Sequence, residues 1–196
     1  MNARRGHEVR LIGGQWKRSR LPVADRPGLR PSPDRVRETL FNWLGKDLGG
    51  WRVLDAFAGS GALGFEAASR GAAEVVLLER DAALVQSLRA SRERLSAAMV
   101  QIHRADALGW MSRCAPARFD LVFLDPPFGT GLLDRAIALA APLVAEGGFL
   151  YVESERPRTD LPQGFEPYRE GRAGAVHHFL WARRYTAPLD SRGESP

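Results

Sequence analysis

Four consecutive residues, Asp125-Pro126-Pro127-Phe128, have the types and order to do chemistry. They close the apolar run Phe119-Asp120-Leu121-Val122-Phe123-Leu124, which reads as a buried strand. Neither proline has a backbone N–H, so the strand's ladder stops and a stiff turn follows. The turn holds a carboxylate and an aromatic ring at the strand's C-terminal edge, where open α/β sheets place their ligands. Acceptor oxygens and a stacking ring together suit a planar amino group on a nucleobase. Taken alone, the four residues read equally well as an ordinary proline-rich turn.

A second group spans Asp55-Ala56-Phe57-Ala58-Gly59-Ser60-Gly61-Ala62-Leu63-Gly64. Gly59, Gly61 and Gly64 fit G-x-G-x-x-G, and Glu79 follows Gly59 by twenty positions, where a ribose-binding acid is expected. The glycines allow close backbone approach to a ligand, and Glu79 can accept from two ribose hydroxyls. The pattern by itself does not separate a nicotinamide cofactor from other adenosine cofactors. Two carboxylates do. Asp55 sits where a pyrophosphate would have to approach, an unfavourable like-charge contact, yet it suits a cationic amino-acid end such as that of S-adenosylmethionine. Asp106, after the third strand, offers an acceptor to an adenine amino group. Either aspartate singly reads as a turn or N-cap residue. Their placement at successive strand ends, with Glu79 and Asp125, is not explained that way.

The four histidines, His7, His103, His177 and His178, and the single Cys114 have no metal-ligand spacing, so no metal is expected. Nor is a Ser-His-Asp or Cys-His arrangement present. His177-His178 reads as a strand pair with one ring inward and one outward.

These residues need elements to position them. From Trp51 onward, strands over Arg52–Phe57, Glu74–Glu79, Val100–His103, Phe119–Leu124 and Phe149–Glu153 alternate with helices. The helices fall over Gly61–Arg70, Asp81–Ala97, Asp106–Cys114 and Leu132–Val144. Such alternation predicts a mostly parallel sheet with helices on both faces. Phe165–Arg169 and Val176–Ala182 read as an antiparallel hairpin closing the sheet edge. Upstream, residues 8–24 read as a hairpin around Gly13-Gly14, followed by an Arg/Pro/Gly loop over 25–32. Ser32-Pro33 opens a helix whose face is Val36, Leu40, Trp43 and Leu44, stopped by Gly45. Three segments result: a basic hairpin and loop over 1–32, a main domain over 33–185, and a tail over 186–196 expected to be disordered.

The charge is uneven. The net charge is +5 and the pI about 10.1. Residues 1–37 hold ten Lys/Arg against three acids, whereas the rest holds 18 against 20. A basic arm on a near-neutral body points to phosphate-backbone binding. The interleaved Leu11, Ile12, Trp16, Leu21 and Val23 count against a mere solubilising tail. One cysteine, no apolar signal core and no apolar stretch of spanning length predict a cytoplasmic protein with no membrane partner.

Asp55-x-Phe57-x-Gly59-Ser60-Gly61 with Asp125-Pro126-Pro127-Phe128 resembles class I S-adenosylmethionine-dependent methyltransferases that act on exocyclic amino nitrogens. The block Arg10-Leu11-Ile12-Gly13-Gly14-Gln15-Trp16 and the run from Leu29 to Leu44 resemble one family within them. So does Tyr151-Val152-Glu153-Ser154-Glu155. That family is the bacterial 16S rRNA (guanine-966-N2)-methyltransferases, and the likeness covers roughly residues 9–182. The resemblance implies an α/β, Rossmann-like class I fold with a seven-stranded sheet and an N-terminal hairpin extension. It implies that Asp55, Phe57, Ala58, Gly59, Ser60 and Gly61 line the methionine end of S-adenosylmethionine. Glu79 would hold the ribose, with Arg80 and Asp81 beside it, and Asp106 and Ala107 would contact adenine. Arg35 and Glu38 would approach the methionine end from the preceding helix. Arg10, Lys17, Arg18, Arg20, Arg26 and Arg30 would grip RNA phosphates. The implied partner is 16S rRNA, alone or within a 30S subunit or assembly intermediate, and the chain is expected to be a monomer.

On this reading Asp125 accepts one amino hydrogen, the Pro126 carbonyl another, Pro127 stiffens the turn and Phe128 stacks on the base. Three rivals remain. A DNA adenine-N6 methyltransferase uses a similar turn, but no separate base-reading domain is present. An NAD-dependent oxidoreductase fits the glycines but not Asp55. A non-catalytic RNA-binding module does not explain Asp125-Pro126-Pro127-Phe128.

Overall fold

The computed structural model describes residues 8–23 and 34–185. Arg26, Arg30, the loop over 25–32, the Ser32-Pro33 helix start and the tail over 186–196 lie outside the described residues. A two-stranded antiparallel hairpin, β1 (Glu8–Arg10) and β2 (Arg20–Pro22), precedes α1 (Asp34–Leu44). The main unit continues as β3 (Arg52–Asp55), α2 (Ala62–Ser69), β4 (Glu74–Glu79), α3 (Ala82–Arg94), β5 (Val100–Arg104), α4 (Ala107–Met111) and β6 (Phe119–Leu124). It ends with α5 (Leu133–Ala140), β7 (Val144–Ser154), β8 (Phe165–Ala173) and β9 (Val176–Arg183). The seven-stranded sheet has the order β5-β4-β3-β6-β7-β9-β8. The first five strands are parallel, and β9 and β8 are antiparallel to their neighbours.

Each central strand is buried on both faces, which is why it reads as a continuous apolar run. On one face Val53, Leu77, Phe123, Tyr151 and Leu180 pack against α1, α2 and α3 through Leu40, Phe41, Phe65 and Leu88. On the other, Val76, Val122, Leu124, Val152 and Trp181 pack against α4 and α5 through Leu108, Met111, Ala136 and Ile137.

Several element ends differ from the sequence reading by a few residues: the strand from Arg52 stops at Asp55, the helix after Asp106 at Met111, and the strand from Phe165 runs on to Ala173. Two differences have a visible physical cause. The helix expected over Leu132–Val144 ends at Ala140 and tightens into a 3-10 turn, Ala141–Leu143. Pro142 has no N–H to continue the helical ladder. The strand expected from Phe149 begins at Val144. Val144 pairs with Phe119, and a register shift before the Leu121–Phe149 pair absorbs Gly147, which has φ 73°.

The hairpin is fastened to α2, and this explains its sequence. Gly13-Gly14 is a close-approach point, where the sequence alone suggests only a turn. A Cβ on Gly14 would lie 1.8 Å from the Ser69 carbonyl oxygen. Gln15 N donates to Ser69 O at 2.8 Å, Trp16 N to Ser69 Oγ at 2.9 Å, and Ser69 Oγ to Gly13 O at 2.6 Å. Glu66, fully buried on α2, accepts from Ile12 N at 2.8 Å and from Arg70 Nε at 2.8 Å. Arg37, fully buried on α1, lies 3.8 Å from Glu66 and donates to the Arg10 carbonyl at 2.9 Å. Buried charges are tolerable only when paired in this way. Leu11 and Leu21 share the core of the main unit, so the hairpin is built into it.

Candidate active site

The strand order reverses between β3 and β6: β3 leads outward to β4 and β5, and β6 outward to β7. Ligands of open α/β sheets bind in the crevice beyond the carboxyl ends of such a strand pair. Asp55 ends β3 level with Phe123, so Asp125, two residues on and just past the end of β6, emerges on the other lip of the crevice. The sequence-predicted groups therefore meet at one edge.

Asp125 is half-buried and Pro126 buried, whereas Phe128 is 43% exposed. Among the described residues only Tyr168 and Tyr185 share that status as exposed large hydrophobics. A ring left in solvent beside a carboxylate is open to stacking by a planar ligand. The turn is tied down from outside. The Thr130 hydroxyl donates to the Pro127 carbonyl at 2.7 Å, and Gly129 N donates to Glu155 Oε2 at 3.2 Å.

Across the crevice the glycine loop is stitched to β4. Ala58 N donates to Leu78 O at 3.0 Å, and Gly59 N donates to Glu79 Oε2 at 3.1 Å. Glu79 Oε1 accepts from Asp81 N at 2.8 Å. Gly59 (φ 53°) and Gly61 (φ 79°) take left-handed conformations that favour glycine. Gly64 serves close helix–strand packing, since a Cβ there would lie 2.2 Å from Leu77 Cδ2.

The aspartates also cap helices, as each read singly suggests. Asp81 Oδ1 accepts from Ala83 N and Leu84 N, and Asp106 Oδ2 from Gly109 N at 2.8 Å. Asp55 is 3% exposed, and its Oδ2 accepts from Gly64 N at 3.0 Å. Burial pushes its carboxyl up to about 7, against the bonds from Gly64 and Phe57, and the Glu79 charge adds to the rise. A cationic ligand beside Asp55 would favour its charged form.

Phe57 and Ser60 are half-buried, and Ala58 and Ala107 are buried. Arg80 is exposed. Arg35 and Glu38 lie on the exposed side of α1, and no hydrogen bond or ion pair among the described residues joins them to the Asp55 loop. Arg10, Lys17, Arg18 and Arg20 are exposed, and Arg20 pairs with Glu8 at 2.8 Å. The hairpin runs along α2. Val9 and Val23 pack on Ala62 at the start of α2, and Gly13 to Trp16 on Ser69 at its end. Lys17 and Arg18 therefore sit about one length of α2, roughly 12 Å, from the crevice. Sequence reasoning missed the buried Arg37–Glu66–Arg70 cluster. Its only local signal is a Glu66/Arg70 pair at helical spacing on a helix buried along its length.

A family model described as conserved hypothetical protein 95 matches residues 9–182. The chain belongs to this family. The ribosomal RNA small subunit methyltransferase D of Escherichia coli K12 is 41% identical over 192 residues, covering 96% of this chain and 93% of that one. The Haemophilus influenzae protein of the same name is 38% identical over 180 residues, covering 89% and 93%. Among solved structures, a putative methyltransferase from E. coli superposes with TM-score 0.82 and 40% identity, covering 91% of this chain and 99% of that one. The Thermus thermophilus 16S rRNA N2 G1207 methyltransferase, in complex with AdoMet and guanosine, gives TM-score 0.65 at 25% identity, covering 92% and 50%. The fold of this family member is that of the class I methyltransferases, with the seven-stranded sheet and N-terminal hairpin the sequence implies.

The crevice of this family member fits S-adenosylmethionine. It offers a left-handed glycine loop at the crevice edge, a carboxylate fixed by the Gly59 amide, and a buried carboxyl whose charged form a neighbouring cation would favour. Among the described residues no three His, Cys, Asp or Glu are placed to hold a metal ion.

Proposed function

We propose that the chain transfers a methyl group from S-adenosylmethionine to the exocyclic N2 of a guanine in 16S rRNA. The observation that carries this reading is Asp125-Pro126-Pro127-Phe128 facing the glycine loop across the switch-point crevice. The 41% identity to an E. coli enzyme named for small-subunit rRNA supports the choice of substrate. When bound, S-adenosylmethionine supplies an electrophilic methyl group on a cationic sulfur.

The chain's residues do the rest. Asp55 and the Phe57–Gly61 loop hold the methionine end, Glu79 the ribose, and Asp106 with Ala107 the adenine. The guanine N2 lone pair is delocalised into its ring, so it is a poor nucleophile in the plane. Asp125 and the Pro126 carbonyl each accept an amino hydrogen, which orients N2 and favours a more tetrahedral nitrogen in the transition state. Phe128 stacks on a base drawn out of its helix at a cost of about a few kcal/mol.

Lys17 and Arg18, set back from the crevice, would hold phosphates flanking the target, with Arg10 and Arg20 between. The position modified is the guanine of the family's name. The protein acts in the cytoplasm as a monomer, on 16S rRNA, free or within a 30S subunit or its assembly intermediate. Asp125→Ala tests the core of this reading. S-adenosylmethionine affinity should stay within a few-fold while methyl transfer falls by about 10²-fold or more. Near-normal transfer would remove Asp125 from the chemistry.

A further inference from the structure

Methylation of an amino group releases a proton, and the structure holds a buried acid beside the turn with no role in the reaction described so far. As the N2 lone pair forms a bond to the methyl carbon, the carbon–sulfur bond breaks and its electron pair stays on sulfur. The nitrogen then carries one hydrogen too many, and a base must take it.

Leu124 on β6 pairs with Val152 on β7, so Asp125, just past the end of β6, comes beside Glu153 of β7. Glu153 pairs on its other flank with His178 of β9. Glu153 is 4% exposed and His178 3%. Tyr151, on the same face of β7, donates its hydroxyl to Glu153 Oε1 at 2.9 Å. Burial raises that phenol well above its ordinary value, and the charges of Glu153 and Asp125 raise it further, so it senses both carboxylates.

His178 is fitted to its place. Its ring stacks on Trp43 of α1 with centroids 5.3 Å apart. Opposite, a Cβ on Gly171 would lie 2.4 Å from His178 Nε2, so β8 carries no side chain there. Burial, and then His177, hold the imidazole below its ordinary value. The groups facing Glu153 within the sheet are thus Tyr151, Asp125 and a neutral His178. On the covering helix, α1 carries Asp34, Arg35, Arg37 and Glu38, and Arg37 is committed to Asp34, Glu66 and the Arg10 carbonyl.

We propose that Glu153 is a positioning residue that, together with the Tyr151 hydroxyl, holds Asp125 as the base that receives the N2 proton. The inference rests on the amino-methyl-transfer reading. A second anion beside Asp125 strengthens its hold on a proton, and the bond from Tyr151 keeps Glu153 ionised.

The test uses the full chain in two measurements. Carboxyl-carbon NMR follows Asp125 in the free protein, and single-turnover methyl transfer to unmodified rRNA is followed against pH. Glu153→Gln keeps an acceptor for Tyr151 but removes the charge. It should lower both the Asp125 midpoint and the acid limb by about one pH unit. It should reduce the plateau rate by roughly 10- to 100-fold and leave S-adenosylmethionine affinity within about twofold. Tyr151→Phe should move the limb the same way but by less, because it removes the donor that favours ionised Glu153 and leaves the carboxyl itself in place. A limb that stays put in Glu153→Gln, whether the plateau is kept or lost, overturns the proposal. If the wild-type chain methylates no guanine N2, the functional reading fails, and the NMR midpoint still decides the pairing by itself.

Discussion

The Glu79 carboxylate takes the Gly59 amide at 3.1 Å, which makes the acid ending β4 and the loop leaving β3 one rigid unit. Its other oxygen takes the Asp81 amide at 2.8 Å, fixing the start of α3 as well. Glu79→Ala leaves two amides without an acceptor and removes the proposed ribose contact. Hydrogen bonds to a charged group contribute about 1.5–3 kcal/mol. Calorimetry should therefore show S-adenosylmethionine binding weakened by about 10- to 100-fold. Unchanged affinity would take Glu79 out of the cofactor site.

Asp55 makes the free protein's stability pH-dependent. Its folded carboxyl titrates at about 7, against an ordinary value of 3.8. Between those values the folded state holds a proton that the unfolded chain has lost. Stability is then full at low pH, declines as pH rises from about 4 to 7, and levels off above. The loss attributable to this one group is on the order of 4 kcal/mol. Asp55→Asn should flatten that decline in thermal melts. Over the same window S-adenosylmethionine affinity should rise with pH in the wild type, because a cation selects ionised Asp55, and stay flat in Asp55→Asn. A wild-type melting profile flat from pH 5 to 7.5 would contradict the assignment.

Two glycines of like backbone but unlike surroundings test the hairpin clasp. Gly14 has φ 71° and no room beside the Ser69 carbonyl, whereas Gly45 has φ 92° and open space. Gly45→Ala bears only the left-handed strain, about 1 kcal/mol. Gly14→Ala adds a clash with backbone and should cost about 3 kcal/mol or more. Denaturant melts giving equal losses would mean that the hairpin is not clamped on α2.

The exposed cations of the hairpin tip predict a salt effect. Lys17→Gln with Arg18→Gln should lower RNA affinity and reduce the slope of log affinity against log salt by roughly 1.5. Because these residues sit about 12 Å from the crevice, single-turnover methyl transfer at saturating RNA should be little changed. A slope equal to that of the wild type would mean that the tip does not touch phosphates.

Much of this was legible in the residues because it is local. The apolar runs ending in Asp55, Glu79 and Asp125 named the strands, and glycines and prolines marked where each stopped. What stayed hidden depends on partners far apart in the chain. Nothing near Glu66 announces that it accepts from Ile12, fifty-four positions away. Arg37 looks like one more cation of the basic arm, yet it is fully buried and does not face solvent. The row Asp125, Glu153 and His178 exists only through strand pairing, which periodicity does not reveal. The early start of β7 has no such local signal, because Gly147 and Gly148 interrupt the apolar run and are accommodated at a register shift.

The central claim is that the crevice aims a guanine N2 at the methyl group of S-adenosylmethionine. The direct measurement is transfer of labelled methyl from S-adenosylmethionine to RNA fractions from cells lacking the enzyme, followed by nucleoside analysis. Label in N2-methylguanosine of 16S rRNA, absent with Asp125→Ala, is the predicted result. Label in N6-methyladenosine, or none in 16S rRNA, would contradict the account.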